Sequence, residues 1–146
     1  METHDGGTMI HLIYVSSATH EMSDNELGIL LRQSRSRNQR QEITGMLLYV
    51  NGSFVQVLEG SKQDVNEVYS DILIDDRNTG NIVIANEAIS DRLFPDWTMG
   101  FKKLTSSDAN ELPGYTDFIK NRYTPLELAN KNKVIKLLYH FKETNF

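Results

Sequence analysis

The chain of 146 residues contains no cysteine. Disulfide bonds, thiolate metal sites and cysteine nucleophiles are therefore excluded. Its four histidines are scattered along the chain and do not show the spacing of zinc ligands: His4, His11, His20 and His140. We therefore expect no metal site.

The chain also lacks a long apolar run, a signal-peptide pattern and an excess of positive charge. We therefore expect a cytoplasmic protein with no membrane segment. The net charge of -5 argues against a nucleic-acid partner held by a basic surface. The glycine-rich phosphate-binding motifs GxGxxG and GxxxxGK[ST] are both absent from the sequence. What remains, 39% hydrophobic and 24% charged residues, is the composition of an ordinary globular protein with one domain.

An Asn51-Gly52 dipeptide between two apolar runs predicts a β-hairpin, because these residues tolerate the positive φ angles of a tight turn. In the second strand Gln56 shares a face with Phe54 and Leu58, since side chains alternate along a strand. An unpaired amide between two large apolar residues would cost about 1–3 kcal/mol. Gln56 should therefore bond to a neighbouring side chain, lie near a sheet edge or contact a bound ligand.

Three further strands are predicted by their composition and alternation, at residues 9–15, 81–89 and 97–104. Tyr14 lies at the end of the first of these strands. In the last strand Trp97, Met99 and Phe101 are predicted to share one face. Trp97 is the only tryptophan, and an isolated tryptophan more often fills a core than lines a cofactor site.

Two helices are also predicted. The first helix begins with a capping box that starts at Ser23. The inward stripe of this helix extends to Asn38, and the Asn38 side chain is expected either to cap the helix end or to contact a ligand. The second begins at Ser61 or Lys62 and carries an inward stripe of Val65, Val68, Tyr69, Ile72 and Leu73. A charged group at Asp75–Asn78 ends it, and Gly80 is predicted to form a turn.

The predicted order of elements is strand, helix, strand, strand, helix, strand, strand. It indicates an α+β protein of the ferredoxin-like class with an added fifth strand. Right-handed crossovers place both helices on one sheet face. We predict a flexible leader over residues 1–8, one domain over 9–104 and a C-terminal helical extension over 105–146. The extension is expected to cover the opposite sheet face or a partner chain.

Several polar residues should meet between the two helices. Tyr14 and Gln56 share the helix-covered face, Asn38 approaches from the first helix, and residues 75–78 follow the second. A phenol, two amides and a charged group then border an apolar slot, which is the usual form of a cofactor site. Such a slot suits a flat, uncharged aromatic ring with donors and acceptors on its edge.

These residues resemble the BLUF family, the blue-light sensors that use flavin. The resemblance runs from about Ile10 to Lys103. It rests on a combination of segments: LIYVSS with Tyr14, SRNQRQEITGMLLY with Asn38, FVQVLEG with Gln56, DDRN at 75–78, and WTM at 97–99.

The resemblance implies that the isoalloxazine ring lies between the helices. Tyr14 would be the photochemical donor of an electron and a proton. Gln56 would lie between the Tyr14 hydroxyl and the flavin N5 and C4 carbonyl. Asn38 would bond the C4 carbonyl and the N3 edge.

The resemblance also assigns Asp75, Arg77 and Asn78 to cofactor binding, with the first two near the pyrimidine side of the ring and the ribityl phosphate. Asn78 stands where several relatives carry histidine, and Asp71 where some carry a basic residue. The resemblance implies FAD as the cofactor, and these two departures, which concern phosphate binding, leave FMN as the alternative. Trp97 and Met99 would report the flavin state outward.

We therefore predict a blue-light photoreceptor without enzymatic activity, acting on a separate effector protein and forming a homo-oligomer. The alternative is a passive flavin- or ligand-binding or dimerisation module without photochemistry. An acylphosphatase-like hydrolase would need an arginine in the loop SSATHEMS, which has none. A flavin redox enzyme would need a substrate opening beside N5, where Tyr14 and Gln56 are expected to crowd.

Overall fold

The computed structural model describes residues 8–50 and 52–104. The predicted C-terminal extension, the predicted leader up to residue 7, and Asn51 of the predicted turn lie outside these residues. The described elements are β1 (Met9–Ala18), α1 (Asp24–Arg40), β2 (Thr44–Val50), β3 (Ser53–Ser61), α2 (Lys62–Leu73), β4 (Asn78–Ala88) and β5 (Gly100–Leu104).

The five strands form one sheet in the order β4-β1-β3-β2-β5. Neighbouring strands are antiparallel except for β2 and β5, which are parallel. This is the ferredoxin-like arrangement with a fifth strand added beside β2, so the predicted fold class is confirmed.

Helix α1 begins with the predicted capping box. The Ser23 side chain accepts from the Glu26 backbone N–H at 3.1 Å, and the Glu26 carboxylate accepts from the Ser23 N–H at 3.0 Å. These bonds satisfy amides that have no partner inside the helix. The buried side of α1 carries Leu27, Leu31, Ser34 and Asn38. Asn38 thus faces inward, as its spacing predicts.

Helix α2 packs beside α1 on the same sheet face. The Ser61 side chain accepts from the Asp64 N–H at 3.1 Å and caps the helix start. Val65, Val68 and Ile72 are buried. The prediction for Leu73 is wrong: its side chain is 51% exposed, because a residue directly after Ile72 is rotated by about 100° around the helix.

The sheet separates two hydrophobic clusters. The alternating residues Ile10, Leu12 and Tyr14 of β1 pack toward the helices. Ile13 and Val15 face the other way and pack with Phe94 and Trp97. The same cluster includes five residues of β2 and β3: Met46, Leu48, Val50, Val55 and Val57. The predicted helical cover of this second face lies outside the described residues.

Gly80 does not form the predicted turn, because β4 begins at Asn78 and already includes it. Val15 pairs with Ile82 and Ser17 with Thr79, so two residues of β4 oppose Ser16 alone. Gly80 has a φ of 66°, a conformation that glycine adopts without steric cost. Gly80 therefore lies in a β-bulge and not in a turn.

The last strand is shorter than predicted and begins at Gly100. Trp97 and Met99 precede it and do not share one face. Trp97 packs with the cluster on the second sheet face and stacks on Phe94 at 5.3 Å between ring centroids. Met99 and Phe101 lie with the helix-side cluster. The alternation rule fails here because the chain is not pleated before Gly100.

Candidate functional site

A cleft opens between α1 and α2 above the sheet. It encloses about 480 Å³, counting space that is open to solvent. The sheet, α1, and the end of α2 with the turn after it each supply part of its lining: Tyr14, Leu47, Phe54 and Gln56; Leu30, Gln33, Ser34 and Arg37; Ile72, Asp75, Arg77 and Asn78. A cleft between two helices, lined by apolar side chains with a few polar groups, is a usual place for a small-molecule site.

Tyr14 and Gln56 meet at the floor of the cleft because they face each other across β1 and β3. The Tyr14 hydroxyl donates a hydrogen bond to Gln56 Oε1. Gln56 Nε2 donates to Met99 Sδ at 3.4 Å, and all three side chains are buried. The Gln56 amide therefore has side-chain partners, but a thioether is a weak acceptor for its N–H.

The surroundings of Tyr14 keep its hydroxyl protonated. Burial raises the pKa of the Tyr14 phenol far above its ordinary value. The neighbouring Tyr69, whose ring centroid is 5.2 Å away, raises this pKa further, while Arg37 lowers it. Tyr14 is thus a neutral donor at physiological pH, with its proton directed at Gln56 Oε1.

The turn after α2 holds one edge of the cleft. The Asp75 carboxylate accepts from Arg77 Nε at 2.9 Å and from Arg77 Nη2 at 2.5 Å. These bonds lower the pKa of the Asp75 carboxyl below its usual range. Arg77 Nη1 also donates to Gln33 of α1 at 2.9 Å. The turn is therefore tied to both helices, and Asp75 carries a full negative charge.

Asn78 completes this turn. Its Nδ2 donates to the carbonyls of Ile72 and Asp75, both at 3.0 Å. The Ile72 carbonyl lies in the last turn of α2, where helix carbonyls lack partners within the helix, and Asp75 follows the helix end. The amide thus closes α2, and Asn78 also contributes to the cleft lining.

Asn38 is fully buried but is not part of the cleft lining. Its Nδ2 donates to the Thr98 carbonyl at 2.8 Å. An amide nitrogen carries two N–H groups, so this bond leaves one donor for another acceptor. Met99 contacts Gln56, whereas Trp97 lies on the far side of the sheet.

Gln33, Ser34 and Arg37 line the cleft and were not predicted as cleft residues from the sequence. Burial lowers the pKa of Arg37, and the nearby Asp71 and Tyr14 oppose that shift. Leu30, Ser34 and Arg37 follow one another at i, i+4 and i+7 on the cleft side of α1. This helical spacing is visible in the sequence. It does not tell which polar residues beside a buried stripe line a cleft, because that depends on how the helices pack.

The described residues include no group of histidine, aspartate or glutamate side chains that could hold a metal ion. Among the same residues no helix has the length and apolar character needed to cross a membrane.

A model of the family described as sensors of blue-light using FAD matches residues 9–100. The chain belongs to this BLUF family. The match includes the strands and helices that form the cleft, from β1 to the first residue of β5. It confirms the resemblance on which the cofactor prediction depends.

Relatives of this BLUF chain include subunits of light-activated enzymes. The photoactivated adenylate cyclase subunit beta-like protein FB of Euglena gracilis is 40% identical over 138 residues, covering 90% of this chain and 16% of that protein. The photoactivated adenylate cyclase subunit beta of the same organism is 41% identical over 93 residues, or 63% of this chain and 11% of that protein. The chain therefore spans a small part of the length of these relatives.

Solved structures give the same assignment. The dark-state structure of BlrB, a BLUF protein, has a TM-score of 0.76 at 28% identity, covering 92% of this chain and 96% of that chain. A bacterial light-regulated adenylyl cyclase has a TM-score of 0.72 at 33% identity, covering 90% and 40%. BlsA in its photo-activated state reaches 0.79 at 23% identity, which supports the fold.

The cleft of this BLUF domain fits FAD, the cofactor by which the family is described. Leu30 and Ile72 provide apolar walls on the two helices. Gln56, Arg37 and Asp75 place an amide, a guanidinium and a carboxylate around them. A flavin ring needs this combination, because its faces are apolar while one edge alternates acceptors with an N–H donor.

Proposed function

We propose that this chain is a blue-light photoreceptor that binds flavin non-covalently in the cleft between α1 and α2. It signals by rearranging the hydrogen bonds around the bound ring. The hydrogen bond from Tyr14 to Gln56 at the floor of the cleft carries this proposal. It joins a protonated phenol to an amide that can both donate and accept.

Three groups of side chains would hold the flavin. Gln56 and Asn38 would form hydrogen bonds with the ring edge. Asn38 would use the N–H group of its amide that does not donate to the Thr98 carbonyl. Asp75, Arg77 and Asn78 would lie along the pyrimidine side and the chain that leads to the phosphate. Arg37 adds a second cation at the cleft. FAD is the cofactor we propose and FMN the alternative, since BlrP1 of Klebsiella pneumoniae was solved with FMN.

Flavin, when bound, supplies the absorption of blue light and a strong oxidant in its excited state. Tyr14 would give one electron to that oxidant and would pass its hydroxyl proton along the existing bond to Gln56 Oε1. Both would return to Tyr14, so no net oxidation would result. Gln56 is left rotated or in its other tautomer, and its bonds to Tyr14 and Met99 change. The absence of cysteine excludes a thiol adduct as the alternative route.

The output would begin at Met99 and Trp97. Met99 touches Gln56 directly, and Trp97 lies on the opposite sheet face. A change at the cleft floor would thereby bias a two-state element on the far side. We propose that the chain acts on a separate protein in the cytoplasm as a homo-oligomer, and that it has no catalytic activity of its own.

An absorption spectrum tests this function. The purified protein with FAD is measured in darkness, directly after blue illumination, and during the return to darkness. We expect a flavin band that moves to longer wavelength and then recovers. A bound flavin whose band does not move would favour the alternative, a passive flavin- or ligand-binding or dimerisation module.

Two variants locate the photochemistry. Tyr14→Phe and Gln56→Leu should retain flavin and lose the spectral shift, because the first removes the proton and the second the amide that changes. Tyr69→Phe is the matched control, since its ring lies beside Tyr14 without bonding Gln56. A normal shift in either Tyr14→Phe or Gln56→Leu would contradict the mechanism.

A further inference from the structure

Residues 97–99, which we call the reporter segment, are held by their main chain. Three consecutive carbonyls each accept a hydrogen bond from another part of the fold. Gly45 N–H of β2 donates to the Trp97 carbonyl at 3.0 Å. Asn38 Nδ2 donates to Thr98 at 2.8 Å, and Arg35 Nε to Met99 at 3.0 Å. Each residue of the reporter segment therefore accepts a hydrogen bond from either α1 or β2.

Met99 joins this attachment to the cleft floor. Its carbonyl is bound by Arg35, and its sulfur accepts from Gln56 Nε2. The Met99 side chain is almost completely buried. If the Gln56 amide turns, Met99 must either move with it or keep its place and favour the amide's return.

Arg35 differs from the other two donors. Asn38 is buried and is proposed to contact the cofactor, and Gly45 N–H is a backbone group. Arg35 is exposed on α1, is not part of the cleft lining, and reaches the segment with its side chain alone. It can therefore be removed without altering the cleft or the sheet.

We propose that Arg35 is a positioning residue for the light response. It holds the Met99 backbone so that the Met99 sulfur stays against Gln56. This inference rests on the proposed function. The bond stabilises the dark arrangement relative to one in which the reporter segment has followed Gln56, so its loss should slow the return to darkness. The Tyr14–Gln56 bond is left intact, so the size of the spectral shift should not change.

The test uses the full chain with FAD and compares Arg35→Ala with wild type. Arg32→Ala is the matched control, because it removes the same charge from an exposed position on the same helix. We expect dark recovery to be at least three times slower in Arg35→Ala, with a spectral shift of wild-type size. Arg35→Lys, which keeps a charged donor, should recover part of the wild-type rate.

Trp97 allows a second measurement that does not depend on the response to blue light. It is the only tryptophan, so quenching of tryptophan emission by acrylamide reports on the reporter segment alone. In darkness Arg35→Ala should be quenched more strongly than wild type, and Arg32→Ala should not. A variant that only lost surface charge would leave this quenching unchanged.

The outcomes separate this proposal from the proposed function. A wild-type spectral shift with equal recovery and equal quenching in Arg35→Ala and Arg32→Ala would overturn the role of Arg35 alone. Equal slowing in the two alanine variants would also overturn it, because helix charge would then be the cause. A wild-type protein that binds flavin without any light-induced shift would overturn the proposed function, and the role of Arg35 with it.

Discussion

Glu59 offers a quantitative test of how the region before β5 is held in place. Its side chain is fully buried on β3, the strand that carries Gln56. The carboxylate accepts from the backbone N–H groups of Leu93 at 2.5 Å and Phe94 at 3.0 Å, and from the Thr44 hydroxyl at 2.9 Å. It thereby fixes the loop that leads to Trp97.

The substitution Glu59→Gln keeps the shape and replaces one acceptor oxygen with an NH₂ group. In either orientation that group faces a backbone N–H, so at least one buried donor loses its partner. Such a loss costs about 1–3 kcal/mol. We expect the free energy of unfolding to fall by about 2 kcal/mol. With an m-value of about 2 kcal/mol/M, the urea midpoint should fall by about 1 M.

Urea unfolding at a fixed, saturating FAD concentration measures this change, since bound ligand itself adds stability. Glu67→Gln is the control: Glu67 is an exposed acceptor on α2, and its substitution should cost less than about 0.5 kcal/mol. Equal midpoints for the two variants would refute the reasoning, because a buried acceptor would then contribute no more than an exposed one.

Two further predictions concern the sheet and the turn after α2. A Cβ added at Gly45 would lie 1.9 Å from a carbonyl oxygen of the neighbouring strand, so Gly45→Ala should prevent folding. A Cβ added at Gly28 would meet the end of the Arg32 side chain at 3.7 Å, an ordinary contact, so Gly28→Ala should raise the free energy of unfolding by up to about 1 kcal/mol. Thermal melting compares the two variants, and a wild-type melting temperature for Gly45→Ala would contradict the prediction. The pKa of Asp75 is lowered by Arg77, so its contribution to stability is present above the ordinary carboxyl pKa and lost as pH falls through the lowered value. Unfolding measured below about pH 4 should therefore show a weaker acid dependence in Asp75→Asn than in wild type. Asp76→Asn, the control, should retain the wild-type acid dependence, and an equal change in both variants would count against the role of the Asp75–Arg77 pair.

Local rules predicted the elements well where a single segment contains all the information. The capping box at Ser23 predicted the start of α1, and alternation in β1 and β3 predicted that Tyr14 and Gln56 share a face. The same rules failed where the backbone departs from regular geometry. Gly80 was taken for a turn and lies in a bulge, and Trp97 was placed on the face of Met99, although the two lie on opposite sides of the sheet.

The cleft was predicted in outline and not in detail. The sequence motifs place Tyr14, Gln56 and residues 75–78 beside one slot. The structure brings these residues into the cleft lining, with the exception of Asp76. Asn38 lies outside that lining, and one of its two N–H groups donates to the Thr98 carbonyl. Arg37 joins the lining unpredicted. Both differences arise at the end of α1, where a small rotation of the helix decides which side chain enters the cleft.

The sequence by itself determined the fold class, the family and the pairing of a phenol with an amide, because hydrophobic periodicity, capping and the family motifs are local patterns. The tertiary structure alone decided that the Gln56 amide meets Met99, that Trp97 lies across the sheet, and that Arg35 and Asn38 hold adjacent carbonyls. These contacts join residues far apart in the chain. They depend on atom positions to within a few tenths of an ångström, which are set by the packing of the helices on the sheet.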